Sequence, residues 1–182
     1  HEDLEKMKSE IDFLIENRNI QTLSIAGGEP LLYPKLKEIV EYAVSKKLKV
    51  KIFTNGVLLT ENKLIEFKDI GVTEFVVHVD KYQNRPDMKN DDDPNKLRLK
   101  FCEKFRKVGG INLGFILPVS GDDYSDLLDA INLCKKNTDV VNLLVLSPYK
   151  DILLNEDKTF DKSKLKNPNI PKLSSFLSKE FK

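Results

Sequence analysis

The sequence predicts an α/β protein in which a parallel sheet of five strands is covered by helices. Three observations carry that prediction. Five short, nearly continuous apolar runs begin at Thr22, Val50, Phe75, Ile111 and Val140. Between them lie stretches whose apolar residues recur every three or four positions, the period of a helix. The runs end in turn or loop residues, among them Gly27-Gly28, Asn55-Gly56 and Ser147-Pro148. Apolar strands joined by helical crossovers pair in parallel.

Taken in order, Leu4, Met7, Ile11, Leu14 and Ile15 mark a first helix, with acidic residues at its start where the helix dipole favours them. Thr22 to Ala26 is the first strand and ends in Gly27-Gly28-Glu29-Pro30. Pro34 is placed to open a second helix with Leu36, Ile39, Val40, Ala43 and Val44 on its apolar face. Val50 to Phe53 is the second strand and stops at Thr54-Asn55-Gly56. Thr60 can cap a third helix carrying Leu64, Ile65 and Phe67, which ends at Gly71. Phe75 to Val79 is the third strand; after it comes a polar loop with Asp91-Asp92-Asp93-Pro94. Leu97, Phe101, Cys102, Phe105 and Val108 form a fourth helix that stops at Gly109-Gly110. Ile111 to Leu117 is the fourth strand, Asp122 or Asp123 caps a fifth helix with Tyr124, Leu127, Leu128, Ile131 and Cys134, and Val140 to Leu146 is the fifth strand. Residues 1–150 are thus the core. Residues 151–182, rich in Lys, Asp and Asn with Pro168 and Pro171, are a surface extension with a short helix around Leu173 to Phe181.

Composition narrows the function classes. The 182 residues suffice for one domain with a real core, and 40% hydrophobic residues exclude a disordered chain. Lys and Arg number 30 against 29 Asp and Glu, so nothing suggests a nucleic-acid partner. No apolar run approaches the ~20 residues that span a bilayer, and the start is no secretory signal, which points to the cytoplasm. Cys102 and Cys134, far apart in helical patterns, read as buried thiols in a reducing compartment, and no residue is assigned as a metal ligand.

In parallel α/β proteins ligands gather at the carboxyl ends of strands, so those residues are the candidates. Gly27-Gly28 bares backbone to a ligand, Glu29 places a carboxylate beside it, and Pro30 stiffens the exit and biases Glu29 to an extended conformation. Carbonyls beside a carboxylate suit an ammonium group better than a phosphate, and neither nucleotide-binding glycine fingerprint occurs. Read alone, Gly27-Gly28 also suits a tight turn, Asn55-Gly56 is an ordinary turn dipeptide, and Asp80 equally suits a loop cap. His78 alternates with Val77 and Val79 and faces away from them. Gln83 and Arg85, in the polar segment that follows, are further candidates to face substrate or cofactor. The acidic run at Asp91 reads as a solvated turn, and the lysine-rich stretches as surface.

The run Leu23-Ser24-Ile25-Ala26-Gly27-Gly28-Glu29-Pro30-Leu31-Leu32, followed one helix later by Phe53-Thr54-Asn55-Gly56, resembles the radical S-adenosylmethionine (radical SAM) superfamily. The resemblance implies a partial (β/α) barrel of parallel strands, of whose usual six this chain would hold the second to sixth. It implies SAM as cofactor, with its ammonium at Gly27, Gly28, Glu29 and Pro30 and the next strand end shaped by Thr54 and Asn55. His78 and Asp80 would then lie near the SAM ribose, with Ser120 and the backbone from Leu117 to Val119 near the adenosine. It also implies a [4Fe-4S] cluster, held in that family by a Cys-x-x-x-Cys-x-x-Cys loop that these residues lack. The expectation is that this loop and a first strand precede His1, and that the chain alone does not turn over. The implied activity is reductive cleavage of SAM to a 5′-deoxyadenosyl radical that abstracts hydrogen from an unidentified substrate, with an electron donor such as a flavodoxin or ferredoxin as partner. A cluster-free binding module of the same fold, or an unrelated flavodoxin-like nucleotide-binding domain, are the alternatives; strand order separates the last from the others.

Overall fold

The structure, a computed structural model, describes residues 3–80, 85–88, 93–149 and 166–181. Gln83, Asp91, Asp92 and residues 151–165 of the extension lie outside the described residues. In chain order the elements are α1 (Leu4–Arg18), β1 (Thr22–Ile25), a 3-10 turn (Pro30–Leu32), α2 (Leu36–Ser45), β2 (Lys49–Thr54), α3 (Glu61–Asp69), β3 (Val72–His78), α4 (Pro94–Val108), β4 (Asn112–Val119), α5 (Ser125–Lys136), β5 (Val141–Pro148) and α6 (Ile170–Glu180). Local chemistry sets the helix starts. The side chains of Asp3, Thr60, Asp93 and Asn169 each accept from a first-turn backbone N–H of α1, α3, α4 and α6. No helix among the described residues is long and apolar enough to cross a membrane.

All four strand pairs are parallel, and the strands lie in sequential order from β1 to β5. That order removes the flavodoxin-like alternative, whose sheet reverses about its first strand. Because strand side chains alternate, register sorts them onto two faces. Ile52, Phe75, Val77, Leu113, Phe115 and Leu117 join Ile39, Leu64, Phe101, Phe105 and Ile131 in one core on the helix side. There the ring of Phe75 meets Phe67 and Phe105 edge-on, with centroids 6.0 and 6.3 Å away.

The other face is built in cross-strand rows. Ser24, Lys51, Glu74 and Asn112 are register neighbours and form a polar row near the sheet's amino end. Phe53, Val76, Gly114 and Leu143 follow, and then His78, Ile116 and Val145. Phe53, Ile116, Leu143 and Val145 are half-buried and stand outside the helix-side core. Helices therefore cover one face, and the hollow of a partial barrel is the other.

Three expectations are corrected. The third strand starts at Val72, not Phe75, because Glu74 is buried against Lys51 across the strand pair and its charge does not break the ladder. Pro34 does not open α2; the 3-10 turn at Pro30 intervenes, and α2 begins at Leu36. Neither Asp122 nor Asp123 is the residue at the α5 boundary. Asp123 accepts from Ser125 N at 3.0 Å, while Asp122 accepts from Asn169 N and Lys172 Nζ, both at 3.1 Å, which ties the C-terminal segment to the β4–α5 turn. Helix α6 packs against α5: Leu173 is buried, and the rings of Tyr124 and Phe176 lie 5.0 Å apart.

The turn after β2 is sterically closed. Gly56 has φ +76°, and a Cβ there would lie 2.6 Å from Phe101 Cζ and 2.8 Å from Val77 Cγ1. A left-handed backbone strains any side chain, and the core offers no room for the methyl. Gly56→Ala is expected to lower stability by about 2–5 kcal/mol in urea denaturation, the sum of backbone strain and overpacking; a loss under about 0.5 kcal/mol, an ordinary surface effect, would contradict this packing.

Candidate functional site

A single carboxylate joins the glycine turn after β1 to the asparagine turn after β2. Glu29, held at φ −123° and ψ 104° as residues before proline prefer, also starts the 3-10 turn. Its Oε1 accepts from Thr54 Oγ1 at 2.6 Å and Leu31 N at 3.0 Å, and its Oε2 accepts from Asn55 N at 2.8 Å. Thr54, 4% exposed, passes the contact on: its hydroxyl oxygen accepts from Gly56 N at 2.9 Å. Asn55 Oδ1 accepts from Val57 N at 2.9 Å, the local bond that makes asparagine a turn former. Its Nδ2 amide has no partner among the described residues.

Gly27 and Gly28 have φ of +101° and +53°, and a Cβ on either would meet nothing within 4 Å. Unlike Gly56, they are not pressed against the rest of the chain, and their backbone borders open space. Gly27 and Glu29 also border a hollow of about 190 Å³ whose other walls include Met7, Ile25, Tyr33 and Ile39.

At the end of β3, His78 is half-buried on the hollow face of the sheet, while Val77 and Val79 are buried opposite, as the alternation predicts. His78 Nε2 lies 2.6 Å from Asp80 Oδ2, a close contact that is not aligned as a hydrogen bond. Asp80 is buried and borders a hollow of about 70 Å³ with Asp93, Arg98 and Asp126. Two buried arginines hold the carbonyls here. Arg98 donates through Nη2 to Val79 O and through Nη1 to Asn95 Oδ1. Arg85 donates through Nη1 to Asn55 O and His78 O and grips Asp87 with Nε and Nη2. All three nitrogens of Arg85, a candidate to face substrate or cofactor, thus donate within the protein.

Burial pulls the Arg98 guanidinium below the ordinary arginine range, against the nearby carboxylates of Asp80, Asp93 and Asp126. For Asp87, burial pushes the carboxyl up, but the Arg85 hydrogen bonds and charge outweigh it and leave the group below its ordinary value. A depressed carboxyl stabilises above its unfolded value and loses that contribution as pH falls through the folded one, so the Arg85–Asp87 grip holds at neutral and mildly acidic pH.

Ser120 lies just past the end of β4; its hydroxyl oxygen accepts from Lys166 N at 2.8 Å and the same hydroxyl donates to Lys166 O at 3.1 Å, which anchors the C-terminal segment. Cys102 and Cys134 are free thiols. Burial pushes Cys102 up to about 11 and raises Cys134 as well, which disfavours the thiolate that binds metals. No group of three His, Cys, Asp or Glu among the described residues could hold a metal ion, so an iron–sulfur cluster finds no ligand set here.

Sequence reasoning missed Arg98 and Asp87. Arg98 carried a readable signal: it stands three, four and seven residues before Phe101, Cys102 and Phe105, on the apolar face of its helix, where an unpaired charge is not tolerated. Asp87 carried none.

The family model described as the radical SAM superfamily matches residues 1–146. A probable GTP 3′,8-cyclase of Methanocaldococcus jannaschii is 26% identical over 144 residues, covering 74% of this chain and 45% of that protein. The antilisterial bacteriocin subtilosin biosynthesis protein AlbA of Bacillus subtilis is 36% identical over 61 residues, 34% of this chain and 13% of that protein. The chain thus spans less than half the length of either relative. Among solved structures, Streptococcus suis SuiB bound to precursor peptide SuiA is similar with a TM-score of 0.67 at 16% identity, over 98% of this chain and 39% of that one. At that identity the likeness is one of fold.

The Glu29 bridge makes a specific demand on Thr54. Thr54→Val keeps the shape and removes one donor to Glu29 and the acceptor of Gly56 N. It is expected to lower stability by about 1–3 kcal/mol in urea denaturation, the cost of leaving buried partners unsatisfied. An unchanged midpoint would mean that the bridge does not hold the two turns.

Proposed function

The chain belongs to the radical SAM superfamily, and on that premise we propose that it is the SAM-binding core of a larger enzyme of that family. The observation that carries this reading is the Glu29 bridge, which holds the glycine turn of β1 beside the asparagine turn of β2 with bare backbone facing open space. The methionine ammonium of SAM donates to carbonyls of the Gly27-Gly28 turn, and Pro30 fixes the exit of that turn. Glu29 is already held by three protein donors, so it contributes its charge and the shape of the turn more than a new hydrogen bond. Thr54 is part of this frame. Asn55 keeps its Nδ2 donor for the ligand carboxylate. His78 and Asp80, one strand on, face the nucleoside.

In the whole enzyme SAM supplies, with a [4Fe-4S] cluster and a donor such as a flavodoxin or ferredoxin, a 5′-deoxyadenosyl radical for hydrogen abstraction from a substrate. Nothing in the described residues provides the cluster's ligands. The residues of this chain bind and orient the cofactor, and the chain by itself binds SAM without turning it over.

Gly28→Ala separates a ligand site from a mere turn. The left-handed region accepts alanine at a cost of about 1–2 kcal/mol, and the methyl meets nothing within 4 Å in the protein. Calorimetric titration of the folded chain with SAM is expected to show saturable binding, competed by methionine, that falls by about tenfold or more in Gly28→Ala, a loss of about 1.4 kcal/mol. Absence of saturable binding by the unsubstituted chain, or an unaltered affinity in the variant, would contradict the reading.

A further inference from the structure

A carbonyl at the end of a buried parallel strand has lost its ladder partner and still needs a donor. At the ends of β2 and β3 one side chain supplies it. Arg85 is 6% exposed, and its Nη1 donates to Asn55 O at 2.5 Å and to His78 O at 3.0 Å. The other edge of the guanidinium is fixed by Asp87, with Nε to Oδ1 at 2.8 Å and Nη2 to Oδ2 at 2.9 Å. A bidentate fork of this kind sets the plane of the group as well as its position.

The linkage runs in one direction across the rim. Glu29 fastens the glycine turn to Asn55 N, Arg85 fastens Asn55 O to His78 O, and Asp87 fastens Arg85. The two faces of one residue, the N–H and C=O of Asn55, thus tie the first strand end to the third. From this geometry we infer that Arg85 is a positioning residue: it fixes the separation between the turns that receive the amino-acid end of the cofactor and the β3 end that receives its nucleoside. This inference rests on the SAM reading above.

Lysine cannot replace it. A single ammonium keeps the charge but cannot span two carbonyls while a carboxylate grips its far edge. The end of β3 is still held in such a variant, because Arg98 donates to the next carbonyl, Val79 O, from α4.

The test is an NMR titration of the isotope-labelled chain with SAM, following backbone amide signals in the unsubstituted protein and in Arg85→Lys. In the unsubstituted chain SAM is expected to shift signals at both ends, around Gly27-Gly28 and around His78-Val79. In Arg85→Lys the glycine-turn signals still respond, those of the β3 end do not, and affinity falls about tenfold, or about 1.4 kcal/mol. Equal affinity with an unchanged pattern of shifts would overturn the inference, and so would uniform loss at both ends, which a merely structural residue would give. If Arg85→Lys does not fold, Asp87→Asn carries the same test, since it loosens the fork and leaves the guanidinium in place. If the unsubstituted chain shows no response to SAM, the cofactor reading fails, and this inference with it; a response in the unsubstituted chain that Arg85→Lys reproduces in full removes only the positioning role.

Discussion

The site depends on one carboxylate with three donors. Glu29 takes a hydroxyl and an N–H from the end of β2 and an N–H from its own turn, all within 3.0 Å. Charge-assisted bonds of this kind are shorter and stronger than neutral ones, and they extend the β1–β2 pairing beyond the ladder into the two turns that follow. With that relation fixed, Gly27 and Gly28 can keep left-handed backbone and point it at open space.

The sheet supplies the rest of the setting. Helices cover one face, and the other carries a polar row at the amino end, an apolar row in the middle and a row with His78 near the carboxyl end. The apolar middle row lies between the Lys51–Glu74 pair, of which Glu74 is buried, and the rim where the chemistry is proposed. Carbonyls at the end of β3 are held by two buried arginines, so this part of the rim does not rely on surface ion pairs, which are worth little.

Much of this was legible in the sequence, because the strands are apolar runs that end in turn residues and the helices keep a clean period. Two of the three corrected boundaries share a cause: a local signal was outweighed by a contact with a residue distant in sequence, whereas the start of α2 is displaced by the local 3-10 turn at Pro30. The third strand extends back through Glu74 because Lys51 stands across from it, and Asp122 looked like a helix cap until residues 169 and 172 took it. The partners of Ser120 and Arg85, Lys166 in one case and the carbonyls of Asn55 and His78 in the other, come from other parts of the chain and leave no trace in spacing. The glycine and asparagine turns were legible as separate motifs. That Glu29 joins them was not, since no local pattern says where a carboxylate points.

The most direct measurement is a crystal structure of the chain grown with SAM. The account predicts the methionine ammonium within hydrogen-bonding distance of carbonyls in the Gly27-Gly28 turn, with the nucleoside extending along the rim toward His78. Cofactor bound at the amino ends of the strands, or lying on the helix-covered face with that turn untouched, would contradict it.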